Sequence, residues 1–261
     1  MTADIDRRFA VASAVAREAG ALALDYFRKL DSLTIKVKGL QDLASEADVE
    51  TELLIRRRLS EAFPEDAFLG EETGMSDFSP EQGIWVVDPI DGTQPFICGM
   101  SAWCVSIAYL RAGRIEIGLV YAPVRDEFFA VGGDGRATLN GRPMSVSTAA
   151  GLDAGMTSLG YSTRVGPKPL IPALSRLLEA GGMYHREGSG ALGLCYVACG
   201  RLIGYVESHI NSWDCLAGIA LVNGAGGRTN DFLANDGLTR GNRLIAGPAP
   251  LYPALEAVLG A

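Results

Sequence analysis

Residues 84–93, Ile-Trp-Val-Val-Asp-Pro-Ile-Asp-Gly-Thr, constrain this chain more than any other stretch. Ile84 to Val87 are apolar or aromatic and read as a short buried strand. Asp88 is expected to stop it, because Pro89 has no N–H to offer a neighbouring strand. Asp91 and Gly92 supply turn chemistry. Asp-Pro and Asp-Gly are also ordinary turn dipeptides, so the order of the elements says more than either pair alone. A buried strand here delivers two carboxylates, Asp88 and Asp91, to one loop, with the hydroxyl of Thr93 beside them. Gly92 and Thr93 can open a helix, whose first N–H groups and positive dipole end attract anions. Carboxylates beside such an end repel an anion unless a cation lies between them. The pattern suggests a metal that bridges carboxylates and a phosphate.

Composition narrows the alternatives. At 261 residues, 48% of them hydrophobic, the chain can build a real core as one large domain or two intimate halves, about 1–150 and 151–261. A formal net charge of −8 argues against nucleic-acid binding, which needs a basic face. No apolar run is long enough to cross a membrane. The first residues, Met-Thr-Ala-Asp-Ile-Asp-Arg-Arg, lack the apolar segment of a signal peptide. Cys98, Cys104, Cys195, Cys199 and Cys215 are odd in number and form no C-x-x-C pair, as expected of free thiols in a reducing cytoplasm.

Apolar spacing of three and four predicts a helix over 6–28. A strand over Asp31–Val37 is expected next. Ser45-Glu46-Ala47-Asp48 fits a capping box and starts a second helix, which Pro64 ends. Asp48 is thereby a structural cap, with a role at a site also open to it. Ala67 to Gly70 is an apolar approach to the adjacent acids Glu71 and Glu72. Strands are predicted over Trp103–Leu110, Ile115–Tyr121 and Glu127–Val131. Asn140-Gly141 signals a hairpin between Ala137–Leu139 and Met144–Val146. The second half alternates: helices over Leu170–Leu178, Ser189–Cys199, Trp213–Val222 and Pro250–Leu259, with strands at Met183–His185, Leu202–Glu207 and Leu244–Ala246.

Asp88-Pro89-Ile90-Asp91-Gly92-Thr93 resembles the signature of the inositol monophosphatase family of metal-dependent, lithium-sensitive phosphatases. Two further motifs stand in the family's order: Gly70-Glu71-Glu72 upstream and Trp213-Asp214-Cys215-Leu216-Ala217-Gly218 near the C-terminus. The resemblance covers nearly the whole chain. It implies an α+β fold, the layered αβαβα sandwich shared with fructose-1,6-bisphosphatase, and a homodimer. It implies two or three Mg²⁺ per active site, held by Glu71, Asp88, Asp91, Asp214 and the backbone carbonyl of Ile90. Glu71 and Thr93 would orient the attacking water, with Asp48 hydrogen-bonded to Thr93. Gly92 and Thr93 would cradle the phosphate. Gly188, Ser189, Gly190 and Glu207, with Asp91 and Asp214, would bind the substrate. Myo-inositol monophosphate is the leading substrate. Histidinol phosphate, fructose bisphosphate and 3′-phosphoadenosine phosphates are alternatives within the family. A regulatory protein of the transcription machinery is the alternative outside enzymology, because one bacterial branch has that role.

Charge physics agrees with this set. Two carboxylates ~4 Å apart repel by roughly 4 kcal/mol at an effective dielectric near 20, so several ionised acids need cations to share a pocket. The donors are all oxygens, which favours hard Mg²⁺ over Zn²⁺. Only His185 and His209 are present in the chain. Gly188-Ser189-Gly190-Ala191-Leu192-Gly193 also matches G-x-G-x-x-G, with Glu207 downstream. The preceding Met183 to Glu187 is polar rather than the buried strand a dinucleotide site requires, so no nicotinamide or flavin nucleotide is expected. Gln94-Pro95, Gly190 and Gly193 depart from the family's usual residues. These departures leave the metal site intact and bear on the substrate's alcohol half.

Overall fold

The structure, a computed structural model, describes residues 2–32, 35–39, 42–79 and 81–260. Helix α1 (Thr2–Phe27) is followed by a hairpin of β1 (Ile35–Gly39) and β2 (Asp42–Ser45), then helix α2 (Glu46–Ala62). Of the strand expected over 31–37, Leu33 and Thr34 lie outside the described residues, and Leu30–Ser32 is a 3₁₀ turn. The chain next lays down β3 (Ala67–Gly70), β4 (Gly74–Met75), β5 (Ile84–Asp91), the short helix α3 (Thr93–Ile97) and β6 (Cys104–Arg111). Strands β7 (Arg114–Ala122), β8 (Glu127–Val131), β9 (Thr138–Leu139) and β10 (Arg142–Pro143) complete an eight-stranded sheet of order β10-β9-β8-β7-β6-β5-β3-β4.

The remainder runs β11 (Met156–Leu159), α4 (Leu170–Glu179), β12 (Met183–His185), α5 (Gly190–Ala198), β13 (Gly204–Ile210) and α6 (Ser212–Gly224). It ends with β14 (Arg228–Thr229), α7 (Gly237–Arg240), β15 (Asn242–Gly247) and α8 (Tyr252–Leu259). A second sheet has the order β12-β11-β13-β15-β14.

Strand alternation builds the layers. On β5, Trp85 and Val87 face α1 and α2, packing with Ala12, Ala16, Ile55 and Leu59. Ile84 and Val86 face the other way, in the core that α5 and α6 share with Tyr205, Leu244 and Ala246 of the second sheet. Helices α5 and α6 are thus sandwiched between the sheets, which explains why they are apolar nearly all round. They pack closely because of Gly218, where a Cβ would stand 2.5 Å from the Cβ of Leu194. On the far side of the second sheet, Leu177 of α4 and Leu255 of α8 cover Val206 and Ile245. The order of layers is helix, sheet, helix, sheet, helix, as the αβαβα expectation has it.

Three local expectations are corrected. Strand β5 does not stop at Asp88 but runs on through Asp91. Asp88 pairs with Ser106 and Asp91 with Cys104, three steps on one strand against two on the other. The extra residue is a β-bulge, and it absorbs the missing N–H of Pro89. The hairpin around Asn140-Gly141 closes tighter than predicted: its return strand β10 begins at Arg142, two residues sooner, and pairs with Leu139 of β9. Met144–Val146 forms no strand there, because Val146 gives its N–H to the carbonyl of Ala225 instead. Strand β11, an inner strand of the second sheet between β12 and β13, was not foreseen. Its Met-Thr-Ser-Leu is short and half polar, so its periodicity is faint.

Candidate active site

The bulge in β5 is what assembles the acids. Residues three apart on a regular strand point to opposite faces. Directly paired residues share a face, and Ser106 and Cys104 lie two apart on β6. Asp88 and Asp91 therefore point to the same side, towards α5 and α6. Asp214, in the first turn of α6, meets them there. One carboxylate oxygen from each of the three lies within 4.8 Å of the others. Glu71, at the end of β3, lines the same cavity. Its N–H bonds to the carbonyl of Val87 at 3.2 Å, which sets it beside Asp88.

Asp91, Asp214, Asp88 and Asp48 are each held by N–H or O–H donors. Asp91 Oδ2 accepts from the Ser189 hydroxyl at 2.5 Å and from Ala191 N–H at 2.6 Å, and its Oδ1 from Gly190 N–H at 3.4 Å. These are the first donors of α5, where a negative charge is favoured. Asp214 accepts from the backbone and side-chain nitrogens of Asn211 at 3.2 and 3.0 Å, closing a capping box on α6. Asp88 accepts from Ile90 N–H at 3.0 Å. Asp48, fully buried, accepts from the N–H and hydroxyl of Ser45 and from the Thr93 hydroxyl at 3.2 Å. The cap and the contact to Thr93 coexist in one carboxylate. The Thr93 hydroxyl also lies 3.2 Å from the Ile90 carbonyl.

Burial still dominates the electrostatics. It pushes the Asp88 carboxyl well above its ordinary range, with Glu71, Asp91 and Asp214 adding repulsion. Burial and then Asp214 raise Asp91 to about 7, against the Ser189 and Ala191 bonds. Asp214 is raised by burial, and its bonds to Asp88 and Asn211 oppose this. Asp48 is raised for the same first reason. Groups pushed this way favour either a proton or a cation. The Cys104 sulfur lies 4.0 Å from Asp91, and burial raises its thiol well above the ordinary value, so it stays protonated. The site offers hard oxygen donors, which fits Mg²⁺.

Glu71, Asp88, Asp91 and Asp214 line the floor of a cavity of about 530 Å³, and Asp48 lies behind Thr93 outside that lining. Gly92 and Thr93 line it at the start of α3. Gly92 has φ +99° and a Cβ there would stand 2.5 Å from the Ala102 carbonyl, so only glycine fits. Gly188, Ser189, Gly190 and Glu207 also line the cavity. The Ser189 hydroxyl, however, is committed to Asp91 and to capping Leu192 N–H. The N–H groups of Gly190 and Ala191 are likewise spent on Asp91 rather than on a pyrophosphate. Strand β12 before them is a three-residue sheet edge with Met183 and Tyr184 exposed.

Sequence reasoning missed several lining residues. Tyr205 and His209 flank the predicted Glu207, two residues to either side on β13, and all three line the cavity. Extending the predicted strand past Glu207 would have revealed the last of them. The Tyr205 hydroxyl donates to Glu207 Oε2 at 2.5 Å. Its ring occupies the space that a side chain at Gly193 would need, with a Cβ there 2.9 Å from the ring. Burial first, then Asp214 and Asp91, raise Glu207 to about 8, against the Tyr205 bond. Arg164 and Arg186 also reach the cavity wall, and nothing in their sequence context announced it.

The family profile of the inositol monophosphatases matches residues 4–259. The chain belongs to the inositol monophosphatase family. Its relatives include a Haemophilus influenzae protein named Nus factor SuhB, 34% identical over 244 residues, 92% of this chain and 90% of that one. A Mesorhizobium japonicum inositol-1-monophosphatase is 34% identical over 245 residues, 92% and 91% of the two chains. Among solved structures, the extragenic suppressor protein suhB of Bartonella henselae superposes with TM-score 0.89 at 32% identity, covering 96% of this chain and 97% of that one. The inositol monophosphatase of Anabaena superposes with TM-score 0.85 at 28% identity, covering 98% and 96%. An inositol monophosphatase fold thus carries the acid cluster, and the family's chemistry is metal-dependent phosphatase chemistry on small phosphorylated substrates. Among the described residues, no helix is long and apolar enough to cross a membrane.

Proposed function

We propose that the chain is a Mg²⁺-dependent phosphomonoesterase that hydrolyses a small phosphorylated polyol, with myo-inositol monophosphate as the leading substrate. The observation that carries this reading is the meeting of Asp88, Asp91 and Asp214 beside Glu71 on the floor of one cavity. Glu71, Asp88, Asp91, Asp214 and the Ile90 carbonyl would hold the metal. Mg²⁺ bound there would acidify the attacking water and neutralise charge on the leaving oxygen. Thr93, its proton directed to Asp48, keeps a lone pair to orient that water. Gly92 and Thr93 receive the phosphate at the start of α3. Glu207 and the backbone of Gly188 and Gly190 meet the alcohol half. Among the described residues, no serine or cysteine is set as a nucleophile, and the Ser189 hydroxyl is already bonded to Asp91. Homodimer formation, lithium inhibition and a cytoplasmic location belong to the same proposal.

A phosphate-release screen across myo-inositol monophosphate, histidinol phosphate, fructose bisphosphate and 3′-phosphoadenosine phosphates, with millimolar Mg²⁺, tests it. Release that needs Mg²⁺ and stops in chelator is expected. Full turnover in excess EDTA refutes the metal reading. The name of the Haemophilus relative, Nus factor SuhB, supports a second role, in transcription. Retention of purified RNA polymerase or its elongation factors on the immobilised protein would support that role, and clean flow-through would remove it.

A further inference from the structure

We propose that Glu52 is the positioning residue for Glu71, and so for one side of the metal site; this rests on Glu71 being a metal ligand. Glu52 sits on α2, one turn beyond Asp48, and is fully buried. A carboxylate in that position is costly unless its oxygens are hydrogen-bonded. Both are: Oε2 accepts from Glu72 N–H at 2.9 Å and Oε1 from Thr73 N–H at 2.7 Å. No ion pair joins it among the described residues. The two N–H groups belong to the turn that follows Glu71. The N–H of Glu71 itself is fixed on the other side, by the Val87 carbonyl. Glu71 is thereby clamped between β5 and the Glu52 carboxylate. Gly70 lets that carboxylate lie flat against the chain, since a Cβ there would fall 2.4 Å from Glu52 Oε1. Arg56, one turn further, donates to the Thr73 hydroxyl at 2.8 Å and closes the same turn from outside.

Helix α2 therefore serves the site with two buried acids four residues apart. Asp48 holds Thr93, and Glu52 holds the Glu71 turn, so one rigid helix sets the distance between the two groups proposed to orient the water. An amide cannot replace Glu52, because its NH₂ would face one of the two N–H donors. Glu52 touches neither metal nor substrate, and its effect passes through Glu71.

The test titrates Mg²⁺ against the purified full chain, read by thermal shift or calorimetry as well as by phosphate release. Glu52→Gln is expected to raise the Mg²⁺ half-saturation about 10- to 100-fold, the range typical for loss of a group that orients a metal ligand. Substrate KM at saturating Mg²⁺ should stay put. Gly70→Ala, which keeps both acids and displaces Glu52, should do the same, and it carries the test if Glu52→Gln does not fold. In a Glu71→Gln background, Glu52→Gln should add nothing, because residues acting through one another are not additive. An unchanged Mg²⁺ midpoint with a lowered Tm, or effects that multiply with Glu71→Gln, overturns the proposal. If Glu71→Gln itself leaves the midpoint unchanged, Glu71 is not a ligand and the reading of the site falls with it.

Discussion

Glu207→Gln tests the electrostatics of the cavity wall without touching a proposed metal ligand. Glu207 is only 6% exposed, and burial lifts its pKa from 4.5 to about 8. A carboxyl raised on folding binds its proton more tightly in the native chain than in the unfolded one. Its contribution to stability is whole below pH 4.5 and is lost as pH rises through 8. The shift of about 3.5 units, at 1.36 kcal/mol per unit, sets a ceiling of about 5 kcal/mol. If relaxation and counter-ions leave about 2 kcal/mol, Tm moves by roughly 4–8 °C in a chain of this size. Glutamine keeps the shape and an acceptor for the Tyr205 hydroxyl but cannot ionise. Thermal melts of both proteins in chelator, at pH 5 and pH 9, give the answer. The variant should match or trail the native chain at pH 5 and exceed it at pH 9. A Tm difference that is the same at both pH values would refute the account of Glu207 as a buried, neutral acid.

Asp91→Asn bears on the centre itself. Asparagine can offer its carbonyl to Ser189 and Ala191, but its NH₂ then meets the Gly190 N–H and no longer offers a cation an anionic oxygen. Turnover should fall by roughly 10²–10³, the usual loss when one transition-state stabiliser goes. The Tm of the metal-free protein should not fall at neutral pH, since the change relieves repulsion; near-native turnover would remove Asp91 from the site. Gly92→Ala forces a Cβ onto the Ala102 carbonyl and a side chain into positive φ. It should cost on the order of 1–3 kcal/mol in stability and depress turnover, and a fully active variant of native Tm would show that the start of α3 does not position the phosphate.

Much of this was legible in the chain because the informative residues are local. The capping box at Ser45 and Asp48, the buried Ile84–Val87 run and the Asn140-Gly141 turn each specify their own geometry from neighbours. The bulge at Pro89 was half legible. The missing N–H showed that pairing must be disturbed, but whether a strand ends or bulges there depends on β6, which begins only at Cys104. Strand β11 and the reach of β13 to His209 depend on neighbours still farther off. Glu52 was not singled out because on α2 it looks like one more helical acid. Its meaning comes from the turn after β3, which closes over it only once the fold has formed.

The way the acids are held explains why the cluster remains available to a cation. Among the described residues, no lysine or arginine pairs with Asp88, Asp91 or Asp214. A cationic side chain would neutralise them permanently and fill the space between them. Backbone N–H groups at the starts of α5 and α6, with Ile90 N–H, do something different. They fix the carboxylates' direction and partly support the charge, while approaching from behind the oxygens and leaving the centre open. The support is partial, since burial and mutual repulsion still keep all three carboxyls above their ordinary range. The remaining repulsion is relieved when a cation enters. Placing α5 and α6 between two sheets, with their first turns at one cavity floor, is what allows one fold to bury that much charge and still bind with it.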